Sequence, residues 1–157
     1  QGPRDDSSWR YSSGTSNVLS LLLRETFSIQ DEYSCFAYNE LFAPLGMKTA
    51  VIEQDWDGTF VGSSWSLATA RDWAKFGSLF LSKDSQMGIL PDGYAQLLST
   101  PTEGSNGRYG SHWWLGGGSI SSSDDPLWCD MPKTMMARGF EGQVVAVIPE
   151  ENIVIVP

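Results

Sequence analysis

The spacing of hydrophobic residues changes part-way along the chain, and this change constrains the fold more than any other feature. Helical spacing is found first, over residues 17–25, 31–42, 66–80 and 91–98. β-rich segments come later, at residues 108–115, 134–138, 143–148 and 152–156. Helices followed by paired antiparallel strands predict an α+β fold, an antiparallel sheet flanked by helices, rather than alternating βαβ units.

Local signals refine the helices and loops. Hydroxyl residues at positions 13–16 precede the first helical run and are typical of an N-cap. Val18, Leu21 and Leu22 share one face of that helix, and we expect them to point inward. Thr69 is expected to cap a later helix, because Asp72 follows three residues on. The Gly- and Ser-rich residues 116–125 are expected to form a loop.

Charge and hydropathy limit the partners. The 157 residues carry 19 acidic and 10 basic side chains, for a formal net charge of −9. This balance repels phosphate backbones, so we expect no nucleic-acid partner. No apolar run approaches the roughly 18–20 residues that span a bilayer, so no membrane span is expected in this chain. An exported and a cytoplasmic location both remain open.

Cysteine and histidine usage argues against several kinds of site. Cys35 and Cys129 lie far apart in sequence and are expected to be buried free thiols, although a disulfide remains open if the protein is exported. His112 is the only histidine, and no Gly-x-Ser-x-Gly motif accompanies it, so an exposed or core-edge position is expected. One His and two distant Cys make a poor ligand set, so we expect no metal and no cofactor.

Two short segments contain the residue types that acyl-transfer chemistry needs. Tyr11 stands just before the first helix, where backbone N–H groups and the helix dipole favour the phenolate that a tyrosine base requires. A packing or capping role is the alternative for Tyr11. Residues 137–143 lie between two predicted strands, and their glycines permit an edge-strand N–H to serve as an oxyanion donor. A hairpin with a β-bulge is the alternative there.

Taken together, these segments resemble the serine hydrolases of the β-lactamase and penicillin-binding-protein type. That family has Ser-x-x-Lys on a helix, Tyr-x-Asn on a loop, and Lys-Thr-Gly or a variant on an edge strand. Tyr11-Ser12-Ser13 matches the second motif with Ser13 in place of Asn, and Ala137-Arg138-Gly139 falls at the third. Within the family, the class C β-lactamase-like branch of esterases and 6-aminohexanoate-dimer hydrolases is the most similar, judged by Tyr109 and Trp113-Trp114 followed by Gly139–Gln143.

The resemblance implies specific roles. Tyr11 would be the general base or proton shuttle, and Ser13 would help to orient it. Gly139 would shape the turn from which the Phe140 N–H contributes to the oxyanion hole. Trp114 and Glu141 would contact the substrate, a small-molecule ester, amide or β-lactam that is hydrolysed through an acyl-enzyme.

The Ser-x-x-Lys motif is missing. Lysines occur at positions 48, 75, 83 and 133, and none has a serine three residues before it. We therefore expect residues 1–157 to be the C-terminal part of one such domain, with helices mainly over 13–98 and strands mainly over 108–157. An N-terminal segment of the same domain would then hold the nucleophile, and the chain alone would be inactive.

Two alternatives remain open. The chain could be a non-catalytic binding module that kept the pocket, or a structural fragment without independent function. A fragment should expose apolar area where the missing helices pack.

Overall fold

A computed structural model describes residues 9–81, 88–116 and 133–157. The chain divides into two compact units, each described by itself below. The helical unit is Ser12–Phe76, and the sheet unit combines Gln1–Tyr11 with Gly77–Pro157. Helices and antiparallel strands together confirm the predicted α+β class.

The regular elements are short. The α-helices are α1 Ser13–Arg24, α2 Gln30–Ala37, α3 Ala70–Ser78 and α4 Tyr94–Leu98. The β-strands are β1 Val51–Ile52, β2 Ser66–Leu67, β3 Tyr109–Gly110, β4 Trp113–Leu115, β5 Met135–Arg138, β6 Val144–Ile148 and β7 Ile153–Ile155. A π-helical turn, Tyr38–Phe42, continues α2, and 3₁₀ turns occupy Phe140–Gly142 and Pro149–Glu151.

Helix α1 begins earlier than the sequence indicated. Ser12, not a residue of 13–16, is its N-cap: the backbone is extended there, and the Ser12 Oγ accepts from the Gly14 N–H at 3.2 Å. Each of the hydroxyl residues that follow could have capped equally well on composition. The backbone of Ser12 decides the matter, because an N-cap residue needs non-helical dihedral angles.

The apolar face of α1 does not point inward, so that expectation was wrong. No residue of α1 is buried. Its large apolar side chains are 45–58% exposed, namely Val18, Leu19, Leu21 and Leu22. Within the part of the chain that the structure describes, this face is only about half covered. Helical spacing identifies which residues share a face but not whether a partner element packs on it.

A buried carboxylate fixes the start of α3. The Asp72 N–H lies 3.4 Å from the Thr69 Oγ1, which confirms the predicted cap. The Asp72 side chain, 3% exposed, accepts from the N–H and hydroxyl of Thr49 at 2.8 and 2.7 Å. Lys75 also donates to Asp72, and its Nζ donates to the Gly46 carbonyl. The Lys75 hydrogen bond, followed by the Thr49 bonds, lowers the pKa of Asp72 to about 2.

Two predicted helix boundaries were wrong for local reasons. Residues 66 and 67 do not open α3; they form β2, which pairs antiparallel with β1. Helix α4 begins at Tyr94 rather than at residue 91, because Gly93 has a φ of 79° and a helix cannot pass through a left-handed residue.

Five antiparallel strands form the sheet in the order β3-β4-β5-β6-β7. Strand β5 is internal and not an edge strand, which corrects the expectation for this segment. The first half of β5 pairs with β4, where Met136 lies opposite Trp114. The full length of β5 pairs with β6, and this ladder ends at Arg138, which lies opposite Val144. Among the described residues the ladder with β4 covers only Met135 and Met136, so the second half of β5 pairs with β6.

The sheet has two distinct faces because strand residues alternate in direction. On one face Trp113 packs on Phe80, with ring centroids 4.7 Å apart. Gly77 lies on the same face, and a Cβ there would come within 2.6 Å of Val154 Cγ1, so the chain backbone approaches the sheet closely. The other face contains Tyr109 and Trp114, which are opposite each other across β3 and β4.

Cys35 is exposed and free, so its expected burial was wrong. Tyr33, two residues earlier on α2, is fully buried, and a two-residue step along a helix turns a side chain to nearly the opposite side. Cys129 lies outside the described residues, as do positions 117–125 of the expected loop. His112 is exposed, as predicted; with Ser111 it forms the two-residue turn between β3 and β4, and both have positive φ.

Candidate active site

Tyr11 lies in a group of four aromatic rings on one face of the sheet. Its ring stacks on the Trp114 indole, with centroids 5.4 Å apart and 28° between the planes. Tyr109 meets the Tyr11 ring edge-on at 5.7 Å and 87°. Trp9 contacts Tyr109 at 5.2 Å and Trp114 at 6.5 Å. Each such pair contributes about 0.5–1.5 kcal/mol beyond simple area burial, so the group holds Tyr11 in place.

Two of these rings differ in their access to solvent. Tyr11 is 56% exposed, and a phenol with that exposure can be reached by a substrate. Tyr109 is partly buried, and this burial raises the pKa of its phenol, with a further increase from the neighbouring Tyr11. Tyr109 therefore stays neutral at physiological pH and is a poor candidate for the base.

The predicted oxyanion segment leaves β5 as a tight turn. Gly139 is extended (φ −104°, ψ 177°), and its N–H donates to the Gln143 carbonyl at 2.8 Å. Among the described residues, the Phe140 N–H has no hydrogen-bond acceptor. The turn closes through Glu141 and Gly142, which have φ of 57° and 82°. An unpaired N–H at the end of a strand can receive a developing negative charge.

The Phe140 and Glu141 side chains point to solvent. Phe140 is 85% exposed, so its side chain contributes no packing that would hide the N–H. Glu141 is exposed at the tip of the turn. Both are accessible to a ligand, and the substrate contact assigned to Glu141 stays a prediction.

The structure brings some predicted site residues together. Tyr11 contacts Trp114, and Trp114 is opposite Met136 on β5. From Met136 to Gly139 the strand advances by three residues, about 10 Å at the usual rise per residue. Tyr11, Trp114 and the Phe140 N–H therefore belong to one unit and one stretch of sheet.

Ser13 is the first residue of α1 and belongs to the helical unit. Ser12 takes the capping role, and the Ser13 hydroxyl makes no hydrogen bond within the described ranges. Its role in orienting Tyr11 stays a prediction.

Two residues of the aromatic group had no role assigned from sequence. Tyr109 contributed only to the resemblance to one family branch, and the sequence predicted no role for Trp9. A usable signal was present for Tyr109, since strands joined by a two-residue turn place Tyr109 opposite Trp114. No pattern in the sequence links Trp9 to these strands.

The helical unit contains an open cleft of about 420 Å³ that includes no predicted site residue. Its walls are the π-helical turn and the edge of β1, with lining residues that include Tyr38, Phe42, Val51, Ile52, Glu53 and Phe60. Among the residues described, no group of three His, Cys, Asp or Glu side chains could hold a metal ion. Nor does any described helix have the length and apolar character needed to cross a membrane.

Comparison with known proteins gives one positive result. A search of curated proteins found no match. The family described as Beta-lactamase matches residues 2–156, which is nearly the whole chain. The chain therefore belongs to the β-lactamase family, in the superfamily of β-lactamase and penicillin-binding-protein serine hydrolases.

Proposed function

We propose that the chain is the part of a serine ester or amide hydrolase that supplies the general base and one oxyanion donor. Tyr11 is the base, and the Phe140 N–H is the donor. The nucleophilic serine and its lysine come from a segment outside these 157 residues, since none of the four lysines here has a serine at the required spacing.

One observation carries this proposal. A half-exposed phenol is held by aromatic contacts in the same unit as a backbone N–H that has no acceptor among the described residues. In acyl transfer these are the two positions where a proton leaves and a negative charge appears.

The chemistry proceeds in two steps, acylation of the serine and hydrolysis of the acyl-enzyme. The serine oxygen attacks the acyl carbon while its proton passes to the Tyr11 oxygen, and the carbonyl oxygen becomes an oxyanion facing the Phe140 N–H. The leaving group departs with that proton, which gives an acyl-enzyme. Water then attacks the ester carbonyl of the acyl-enzyme while its proton passes to the Tyr11 oxygen. The bond between the acyl carbon and the serine oxygen breaks, and the serine oxygen takes that proton, so the acid product and the free serine are released.

The substrate class is proposed by resemblance to one branch of the family. The Trp113-Trp114 pair and the Gly139–Gly142 turn are most similar to the esterases and 6-aminohexanoate-dimer hydrolases. We therefore propose small esters and linear amides ahead of β-lactams. Ser13, in place of the usual Asn, would orient Tyr11, and Glu141 would contact the substrate at the exposed tip of the turn.

A fluorophosphonate probe tests the catalytic proposal. The complete gene product should be labelled at a Ser-x-x-Lys serine, and Tyr11→Phe should slow labelling by roughly 100-fold or more, the usual range for loss of a general base. The 157-residue chain should not be labelled. Absence of labelling in the complete product would contradict the proposal, as would full labelling in Tyr11→Phe. A penicillin probe run in parallel reports whether β-lactams are also accepted.

A structural fragment is the second candidate, and the exposed face of α1 favours it. Four large apolar side chains at 45–58% exposure are unusual for a helix whose apolar face packs against the rest of a domain. Under this reading the same segment that brings the nucleophile also covers α1. The complete product should then unfold at a clearly higher temperature than the chain alone, and Leu22→Asp should destabilise the complete product but not the chain.

Probe labelling, together with the binding affinity for a substrate analogue, distinguishes an inactive binding module from a hydrolase. The binding module would bind a substrate analogue with unchanged affinity in Tyr11→Phe and would show no covalent labelling under any condition.

A further inference from the structure

Trp114 presents an indole face to Tyr11, and that face is therefore occupied. The planes of the two rings are 28° apart with centroids at 5.4 Å, a stacked geometry. A ligand group cannot stack on the same face while Tyr11 is there. The substrate contact that the family resemblance implied for Trp114 stays a prediction, for the part of the indole that Tyr11 does not cover.

Tyr109 restrains the same phenol from a second direction. Its ring stands at 87° to that of Tyr11, with centroids 5.7 Å apart, and at 83° to that of Trp114, with centroids 5.2 Å apart. Tyr109 and Trp114 are also directly opposite each other across β3 and β4. The two residues thus form a right-angled corner whose position is fixed by the strand pairing.

This corner limits how the Tyr11 ring can turn. Rotation about χ1 would carry the ring off the indole and move the phenolic oxygen, whereas rotation about χ2 leaves that oxygen in place because it lies on the χ2 axis. Tyr11 is 56% exposed, so solvent-side contacts do little to restrain it. The direction of the phenolic oxygen is then decided by these two neighbours.

We propose that Tyr109 and Trp114 are positioning residues that together hold the Tyr11 ring and so set the direction of its phenolic oxygen. The proposal rests on the proposed role of Tyr11 as the base. Neither residue touches the reacting atoms. Trp9 also contacts both Tyr109 and Trp114.

The kinetic test uses the complete gene product with a small chromogenic ester. Trp114→Leu and Tyr109→Leu should each lower kcat by about 100-fold, the typical effect of displacing a catalytic group by about 1 Å, while KM stays unchanged. Trp114→Phe and Tyr109→Phe keep a ring at each position and should restore most of kcat. Trp56→Leu is the matched control, because Trp56 is 99% exposed and has no such corner.

The outcomes separate this proposal from the function on which it rests. Loss of kcat in Tyr11→Phe, with full kcat in both leucine variants, overturns the positioning role and leaves the base intact. A raised KM at full kcat in Trp114→Leu overturns it as well, because that result identifies a substrate contact. Full kcat in Tyr11→Phe overturns the proposed function itself.

A second measurement needs no destabilising variant. Fluorotyrosine incorporated at position 11 of the unchanged chain should give a single ¹⁹F resonance displaced from that of the free amino acid by the indole ring current. Tyr109→Phe should leave this displacement in place, since the Trp114 ring remains. A resonance at the free amino-acid position in the unchanged chain would overturn the proposal without any reference to catalysis.

Discussion

The ring of Tyr11 stacks on the indole of Trp114 at 5.4 Å, although the two residues lie far apart in the sequence. The contact ties a residue that directly precedes a helix to a strand inside a five-stranded sheet. Trp114 in turn is opposite Met136 on β5, and β5 leads into the turn that contains the Phe140 N–H. The consequences of this arrangement can be measured one residue at a time.

Phe140→Pro removes the proposed oxyanion donor and little else. Proline is tolerated at the first position of a helical turn, and Gly139 before it is extended, as a residue preceding proline prefers to be. Loss of one such donor should lower the acylation rate of the complete gene product by about 10²–10³-fold. Phe140→Ala retains the N–H and should keep a nearly normal rate. Equal losses in the two variants would show that the side chain matters and not the N–H.

The charge of Asp72 should make stability depend on pH in a defined window. Its pKa is lowered from 3.8 to about 2 in the folded chain, so the unfolded chain takes up the proton first. The stabilisation is complete above pH 3.8 and is lost as the pH falls toward 2. Asp72→Asn should therefore have a lower Tm than the unchanged chain near neutral pH, and the difference should shrink between these two values. A difference that stays constant down to pH 2 would contradict this expectation.

Ser12 and Ser13 should differ sharply despite being neighbours. Ser12→Ala removes the N-cap bond to the Gly14 N–H and should lower the free energy of unfolding by about 1 kcal/mol. Ser13→Ala is the control, since residue 13 already lies inside the helix, where alanine is the most favourable residue. Urea unfolding gives the free energy of unfolding of both variants. A larger decrease in Ser13→Ala than in Ser12→Ala would show that Ser13 is the N-cap.

Thr134 offers a stabilising substitution. It is fully buried at the start of β5, and its hydroxyl has no hydrogen-bond partner among the described residues. Thr134→Val replaces an unsatisfied hydroxyl with a methyl group and should raise the free energy of unfolding by about 1 kcal/mol. Thr134→Ser keeps the hydroxyl and deletes the methyl, so it should be less stable than the unchanged chain. A destabilised valine variant would indicate that the hydroxyl does have a partner.

The sequence located the sheet well because its signals are local. Strands β5, β6 and β7 lie inside the predicted segments, and the 3₁₀ turn Pro149–Glu151 joins the last two. Alternating apolar residues and a proline-led turn act within a few residues of each other, so no distant contact is needed to form the pattern.

Properties that depend on a distant neighbour were harder to predict. Strand β2 consists of two residues and exists only because Val51 and Ile52 pair with it. The internal position of β5, the exposure of Cys35 and the exposure of the apolar face of α1 likewise depend on which element packs beside each of them. Helical or strand periodicity does not indicate which element packs beside a segment, because it describes one segment at a time.

The amino-acid sequence by itself determined the α+β class, the order of helices and strands, and the lack of any Ser-x-x-Lys motif. These follow from spacing and residue type along the chain. Only the tertiary structure decided that Trp114 and Tyr109 enclose Tyr11, because that contact requires the register of β3 against β4 and the path of a separate segment to coincide in space. The two-residue turn fixes the register of this hairpin, but no local pattern brings Tyr11 beside it.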